Sequence, residues 1–173
     1  MSVQHHPHPL SYFTRVDRAQ LDLCADFPGL LKIALRVLHR MPIGATMVCG
    51  PISTGGAGSI EKNLEIFALA IEALASRGEN VFSQMPFERT MQRLKTTNLG
   101  LLNDFYLPLF RSGRIRRLCF LDGWESSEGA TWEYERAIEL GFEIEEFRSD
   151  FHLLLPEQST LSLFKASSIN NLL

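Results

Sequence analysis

Four short strand-like runs alternate with segments of helical period between residues 45 and 147, and this alternation limits the folds open to the chain more than any other feature. Residues 45–49, 79–83, 117–121 and 142–147 read as strands, each bounded by glycine, proline or a polar turn. Between the first two lies a segment over 59–77 in which Ile60, Leu64, Phe67, Ile71 and Leu74 recur at helical spacing, with Gly78 as its stop. Residues 87–110 have mixed helical spacing interrupted by Gly100 and Pro108, and residues 128–140 form another helix closed by Gly141. Strand and helix in strict alternation, with short links, predict a doubly wound α/β fold of the Rossmann or flavodoxin-like kind. We expect a mostly parallel sheet of four to five strands with helices on both faces. Ligands of such sheets sit beyond the carboxyl ends of the strands, here at loops 50–58 and 122–129.

The 173 residues suffice for one core. We divide them into an N-terminal tail and helix over 1–43, an α/β domain over 44–150 and a C-terminal tail over 151–173. The first helix spans 28–39, with Leu31, Ile33, Ala34, Val37 and Leu38 as its apolar stripe. Covering the sheet and docking a second chain are both open to it. A net charge of −3 provides no general field for a nucleic-acid backbone, so no nucleic-acid partner is expected. The run Arg111, Arg114, Arg116, Arg117 is either a solvated turn before a strand or a local phosphate patch. Cys24, Cys49 and Cys119 lack close spacing and read as reduced, mostly buried thiols. Without a membrane-length apolar stretch or a secretory layout, the expected location is cytoplasmic, with no membrane partner. The His5-His6-Pro7-His8 segment suits a mobile tail better than a fixed ligand set, so no metal is expected.

The two loops carry the chemistry. In the first, Gly50, Gly55, Gly56 and Gly58 lie between a strand and a helix N-terminus, which suits either an anion or simple turn chemistry. Neither a dinucleotide fingerprint nor a P-loop spacing is present, so no nucleotide cofactor is expected. The second runs from Asp122 to Glu133 and crowds hydroxyls and carboxylates at a helix start. On that helix Glu133 shares a face with Ala130, Ala137 and Leu140, whereas Glu128, Glu135 and Glu139 turn outward. A carboxylate on the apolar side needs a partner or a cleft, because burying it alone costs several kcal/mol. Glu133 is thus either a functional group or a glutamate bonded to backbone N–H groups near the helix start.

Val48-Cys-Gly-Pro-Ile-Ser-Thr-Gly-Gly56, Asn63 and Phe67, Gly78 with Val81 and Pro86, and above all Phe120-Leu-Asp-Gly-Trp-Glu-Ser-Ser-Glu-Gly-Ala-Thr-Trp-Glu133, with Ala137 and Leu140-Gly141, resemble the nucleoside 2-deoxyribosyltransferase-like superfamily. The likeness covers about residues 45–147 and is nearest to small bacterial and phage members of uncharacterised function. It implies cleavage or transfer at the N-glycosidic bond of a nucleoside or nucleoside monophosphate, without a cofactor, by a homo-oligomer. It implies Glu133 as nucleophile and Asp104 as the second acid. Ser127 and Gly129 would contact sugar or phosphate, and Gly50, Ile52, Ser53, Gly55 and Gly56 would form the other wall. Trp124 would either stack on a base or close the pocket as packing. Two positions depart from the family: Met47 stands where a tyrosine is usual, and Pro51 follows the first loop glycine in place of serine, with no N–H to donate. The same fold could therefore serve a non-catalytic nucleotide sensor, and a protein working through its N-terminal helix is a third possibility.

Overall fold

The alternation becomes a four-stranded, all-parallel sheet in the computed structural model, which describes residues 6–94 and 98–147. Its strands are β1 (Ala45–Cys49), β2 (Val81–Phe82), β3 (Ile115–Phe120) and β4 (Glu143–Glu146), in the order β2-β1-β3-β4. The chain leaves β1 toward β2 and later returns to β1's other side with β3. The switch point that should hold a ligand therefore lies between the carboxyl ends of β1 and β3. β1 is central, pairing Met47 with Phe82 and Leu118, and all five of its residues are buried.

The expected second strand, 79–83, shortens to two residues. Gln84, almost wholly buried, donates from Nε2 to the Val48 carbonyl at 2.6 Å, so a side chain takes over where ladder bonding stops. Met85 then opens a helix.

The helices are α1 (Arg15–Leu23), α2 (Phe27–Arg40), α3 (Ile60–Ser76), α4 (Met85–Leu94), α5 (Asn98–Leu101), α6 (Leu107–Phe110) and α7 (Glu128–Leu140), with a π turn at Leu102–Tyr106 joining α5 to α6. Period-two alternation along the strands divides the core. Val48, Cys119 and Leu121 meet Phe67, Ala70, Ile71 and Leu74 of α3 on one face. Met47, Cys49, Phe82, Leu118 and Phe120 meet α2, α4 and the segment around α6 on the other. Pro108 does not end the helix as its position suggested. Leu107 N–H reaches back five residues to the Leu102 carbonyl, and this wider turn makes room for the ring that follows.

The sequence reads residues 1–43 as a tail with one helix, yet a second helix, α1, folds onto the main core through Leu21. Thr14 and Asp17 form a capping box: Asp17 N–H donates to Thr14 Oγ1 at 3.1 Å, and Thr14 N–H donates to Asp17 Oδ2 at 2.9 Å. Asp17 is 1% exposed and pairs with Arg36 at 3.2 Å and with Arg40. Burial pushes its carboxyl up, but the Thr14 hydrogen bonds and the Arg40 charge outweigh that and hold it below the usual range. On α2 the stripe is Leu30, Ile33, Ala34, Val37 and Leu38, all buried in this chain's own core, with Leu30 rather than Leu31 as its first deep member.

Two arginines of the run hold parts of the fold together. The Arg114 guanidinium donates to the carbonyls of Leu38, His39 and Met41, closing the C-terminus of α2, while Arg117 pairs with Glu79 at 3.0 Å and Glu145 at 3.1 Å. Both arginines belong to the amino end of β3, opposite the switch point. His8 caps a short 3-10 turn at Pro9–Tyr12 and pairs with Glu72 at 2.8 Å. Cys49 and Cys119 are buried free thiols and Cys24 is half-buried. Among the described residues, no helix is long and apolar enough to cross a membrane.

Candidate active site

Asn63 organises the loop after β1. It is 4% exposed; its Oδ1 accepts from Ala57 N–H at 2.8 Å, and its Nδ2 donates to the carbonyls of Ile52 at 3.0 Å and Gly55 at 3.2 Å. One amide side chain thus satisfies three backbone groups that a tight loop would otherwise leave open. Gly55 requires its lack of a side chain: φ is +70°, and a Cβ there would lie 2.7 Å from the Ser126 carbonyl carbon. Two loop amides that looked free for an anion have partners within the chain, Gly56 N–H on Ser126 Oγ at 3.0 Å and Ala57 N–H on Asn63.

The loop after β3 meets this loop directly. Gly123 takes the left-handed conformation at φ 76°, a 3-10 turn follows at Trp124–Ser126, and Ser127 caps α7 by accepting from Ala130 N–H at 3.3 Å. Ser126 Oγ, besides receiving Gly56 N–H, donates to the Gly123 carbonyl at 2.6 Å. Thr54 Oγ1 donates to Ser127 Oγ at 3.5 Å. The two loops are stitched together above the ends of β1 and β3.

Between them and the π turn lies a pocket of about 330 Å³, lined by Gly50, Ile52, Ser53, Thr54, Glu88, Leu101, Leu102, Tyr106, Ser127, Glu128, Gly129, Ala130, Trp132 and Glu133. That volume falls in the range of small-molecule sites. Glu133 is 7% exposed on its wall. Burial is the main cause that lifts its carboxyl to about 8, and the nearby Glu88 carboxylate adds to it, while a hydrogen bond with the Cys49 thiol works the other way. The same group perturbs its neighbours. Burial pushes the Tyr106 phenol well up, reinforced by Glu88 and Glu133, and burial with Glu133 does the same to the Cys49 thiol. Glu133, Glu88, Tyr106 and Cys49 are thus one electrostatically coupled group, with Cys49 supplying a neutral donor from the end of β1.

Of the residues singled out from the sequence, Glu133, Gly50, Ile52, Ser53, Ser127 and Gly129 share this pocket. Gly55 and Gly56 stand behind it, where they hold the two loops together and line a shallower depression. Trp124 stacks on Tyr134, with ring centroids 4.2 Å apart, and packs against Phe120. It lies outside the pocket wall as packing. Asp104 is exposed on the π turn and is not a wall residue; the second carboxylate found there is Glu88 of α4. Met47 is fully buried in β1, and the phenol at the site comes from Tyr106. Sequence reasoning missed Glu88, Tyr106, Thr54, Glu128, Trp132 and the Leu101-Leu102 pair. Glu88 carried a weak signal, standing next to Phe87 in the first turn of an amphipathic helix; Tyr106 carried none without the π turn.

Comparison with protein-family models, curated proteins and solved structures finds no match to this chain.

Proposed function

We propose that the pocket binds an N-glycoside and cleaves or transfers its glycosyl group, with Glu133 as the nucleophile. The observation carrying this reading is a carboxyl group 7% exposed on the wall of a nucleoside-sized pocket, coupled to a second carboxyl, Glu88. A glutamate oxygen would attack the anomeric carbon, giving a glycosyl ester, and Glu88 would exchange the proton with the departing base and then with the incoming water or acceptor. Partial positive charge develops on the sugar as the bond breaks. In a site shielded from water, that charge favours ionised Glu133 more strongly than the resting pocket does. Ser53, Thr54 and Ser127 would offer hydroxyls to the sugar. The resemblance of residues 120–133 to the nucleoside 2-deoxyribosyltransferase-like motif supports the same assignment for Glu133. The expected substrates are nucleosides or nucleoside monophosphates, and the expected assembly is a homo-oligomer in the cytoplasm.

The test is release of free base from a panel of nucleosides and nucleoside monophosphates, with Glu133→Ala run beside the native protein. Base released by the native protein and lost in the variant supports the proposal; equal signals from both, or none from either, overturn it.

A second reading draws on the raised carboxyl itself. With Glu133 protonated for much of the time near neutral pH, the pocket could hold a ligand by hydrogen bonding without turnover, as a sensor does. Thermal stabilisation by a nucleoside that persists in Glu133→Gln, with no product formed, would favour it.

A further inference from the structure

We infer that the N-terminal helix α1 braces the pocket: Thr90 and Arg93 of α4 grip the open carbonyls at its end, and by that grip they are positioning residues for Glu88. The inference rests on the glycosyl-transfer reading for the chemical task of Glu88, and on contacts within the chain for the brace. α1 carries no basic side chain in its last turn to meet the carbonyls that every helix leaves open there. α4 supplies the donors. Thr90, 3% exposed, donates from Oγ1 to the Leu21 carbonyl at 2.9 Å. Arg93 donates from Nη2 to the carbonyls of Cys24 at 2.8 Å and Asp22 at 3.2 Å, with that of Leu21 at 3.5 Å.

The same segment holds α4 at a second point. Phe13, directly before the Thr14 cap of α1, sets its ring centroid 5.5 Å from that of Phe87. Glu88 follows Phe87 and precedes Thr90, so it stands between the two holds. α1 in turn has a fixed base on α2, through Asp17 with Arg36 and Arg40, and through Arg40 Nε on the Tyr12 carbonyl at 2.9 Å.

The consequence for the pocket follows from the shape of α4. Its ten residues make a rod about 15 Å long. Gln84, just before its start, ties it to Val48 of β1, and α1 fixes the other end. With that end released, the rod is free to tilt and roll about the Gln84 tie, and the roll turns the Glu88 side chain away from Glu133. Repulsion between like charges falls with distance and with the water that a loosened helix admits, so the separation of the two carboxyl groups is what the brace sets. The wall beside them is tied to the same contacts. The Phe87 ring lies 5.8 Å from that of Phe105, which meets the Tyr106 ring edge-on at 5.1 Å, and Tyr106 lines the pocket. Rings packed this closely pass a displacement on rather than absorb it.

The test is an NMR titration of the full chain carrying carbon-labelled glutamate, with the Glu133 signal identified by its loss in Glu133→Gln. It compares the native protein with Thr90→Val, Thr90→Ser and Arg93→Ala, and urea unfolding is run beside it. Arg93 is exposed, and in Thr90→Val the Leu21 carbonyl keeps the Cys24 N–H, so both variants are expected to fold. Thr90→Val and Arg93→Ala should each lower the pH at which Glu133 titrates by about half a unit or more, and Thr90→Ser should restore the native value. With Glu88→Gln already present, the shift should shrink by about half or more, because the brace acts through that residue. A Glu133 titration that is unmoved or raised in both variants overturns the inference, with or without a loss of stability, since the contact would then be a structural stitch alone. A shift of undiminished size in the Glu88→Gln background also overturns it. Base release measured on the same samples separates the two proposals: a lowered Glu133 titration without release from any nucleoside leaves the brace standing and removes turnover. Glu133-dependent release with an unmoved titration does the reverse.

Discussion

Replacing Glu133 by glutamine should stabilise the unliganded protein, and by an amount that grows with pH. In the fold the Glu133 carboxyl is lifted from the ordinary 4.5 to about 8 by burial and by Glu88. A carboxyl whose folded value lies above its unfolded one binds its proton more tightly in the native state. The native protein is therefore unpenalised below 4.5 and loses stability as pH rises through about 8. At about 1.4 kcal/mol per pH unit, the penalty is about 1 kcal/mol near pH 5, about 3 kcal/mol near pH 7 and about 5 kcal/mol near pH 9. Glutamine nearly matches the size of the carboxyl and does not ionise, so Glu133→Gln escapes that penalty while keeping hydrogen-bonding capacity toward Cys49. Urea unfolding of both proteins at the three pH values, with the slope checked for constancy, gives the difference directly. The reasoning predicts a stability advantage of the variant that widens from pH 5 to about pH 8 and levels off above it. A difference that stays flat across that range would refute it, whatever its sign, because the carboxyl would then not be perturbed by its setting.

Four further perturbations test the surroundings. Glu88→Gln removes a like charge and should lower the pH at which Glu133 titrates, read from the carboxyl signal of carbon-labelled glutamate by NMR. Asn63→Ala leaves Ala57 N–H and the Ile52 and Gly55 carbonyls without their partner, which should cost about 1–3 kcal/mol in denaturant unfolding and speed amide exchange through residues 52–57. Gly55→Ala should cost about 1–3 kcal/mol through its left-handed φ and its collision with Ser126, and should reduce nucleoside binding by moving the two loops apart. Asp17→Asn should weaken the protein by about 2–4 kcal/mol at neutral pH, since Arg36 and Arg40 lose their shared carboxylate. That loss should shrink as pH falls through the depressed native value of Asp17, where the native carboxyl is also protonated.

The sheet was legible because its evidence is local. A fully buried central strand leaves a mostly apolar run, as in Ala45–Cys49, and a helix packed on one side leaves a period, as in Ile60–Ser76. Glu133 was legible for the same reason: Ala130, Glu133 and Ala137 are the buried residues of α7, and a carboxylate in that series stands out. What stayed hidden depends on contacts between distant segments. α1 has few apolar residues, and its one deeply buried carboxylate is compensated by arginines about twenty positions away. Its Thr14-x-x-Asp17 box was the signal available. Tyr106 reaches the pocket only because Leu102–Tyr106 forms a π turn, which rotates the following residues away from ordinary helical spacing. Asp104 sits in that same turn, and its exposure follows from a rotation that spacing in the sequence does not encode. Residue types leave the arginine run open between a solvated turn and a phosphate patch, and the glycine loop open between an anion site and plain turn chemistry; Arg114 on the carbonyls of α2 and Asn63 on the loop backbone are internal partners that residue type alone does not reveal.

The central claim is that Glu133 forms a covalent bond to a sugar. It is tested most directly by mixing the protein with a panel of nucleosides and nucleoside monophosphates, quenching in acid, and mapping intact and peptide masses. The account predicts a pentosyl adduct on the peptide containing Glu133, formed as free base is released and absent from Glu133→Ala. Base release with no adduct at Glu133, an adduct on another residue, or neither product from any probe would contradict it.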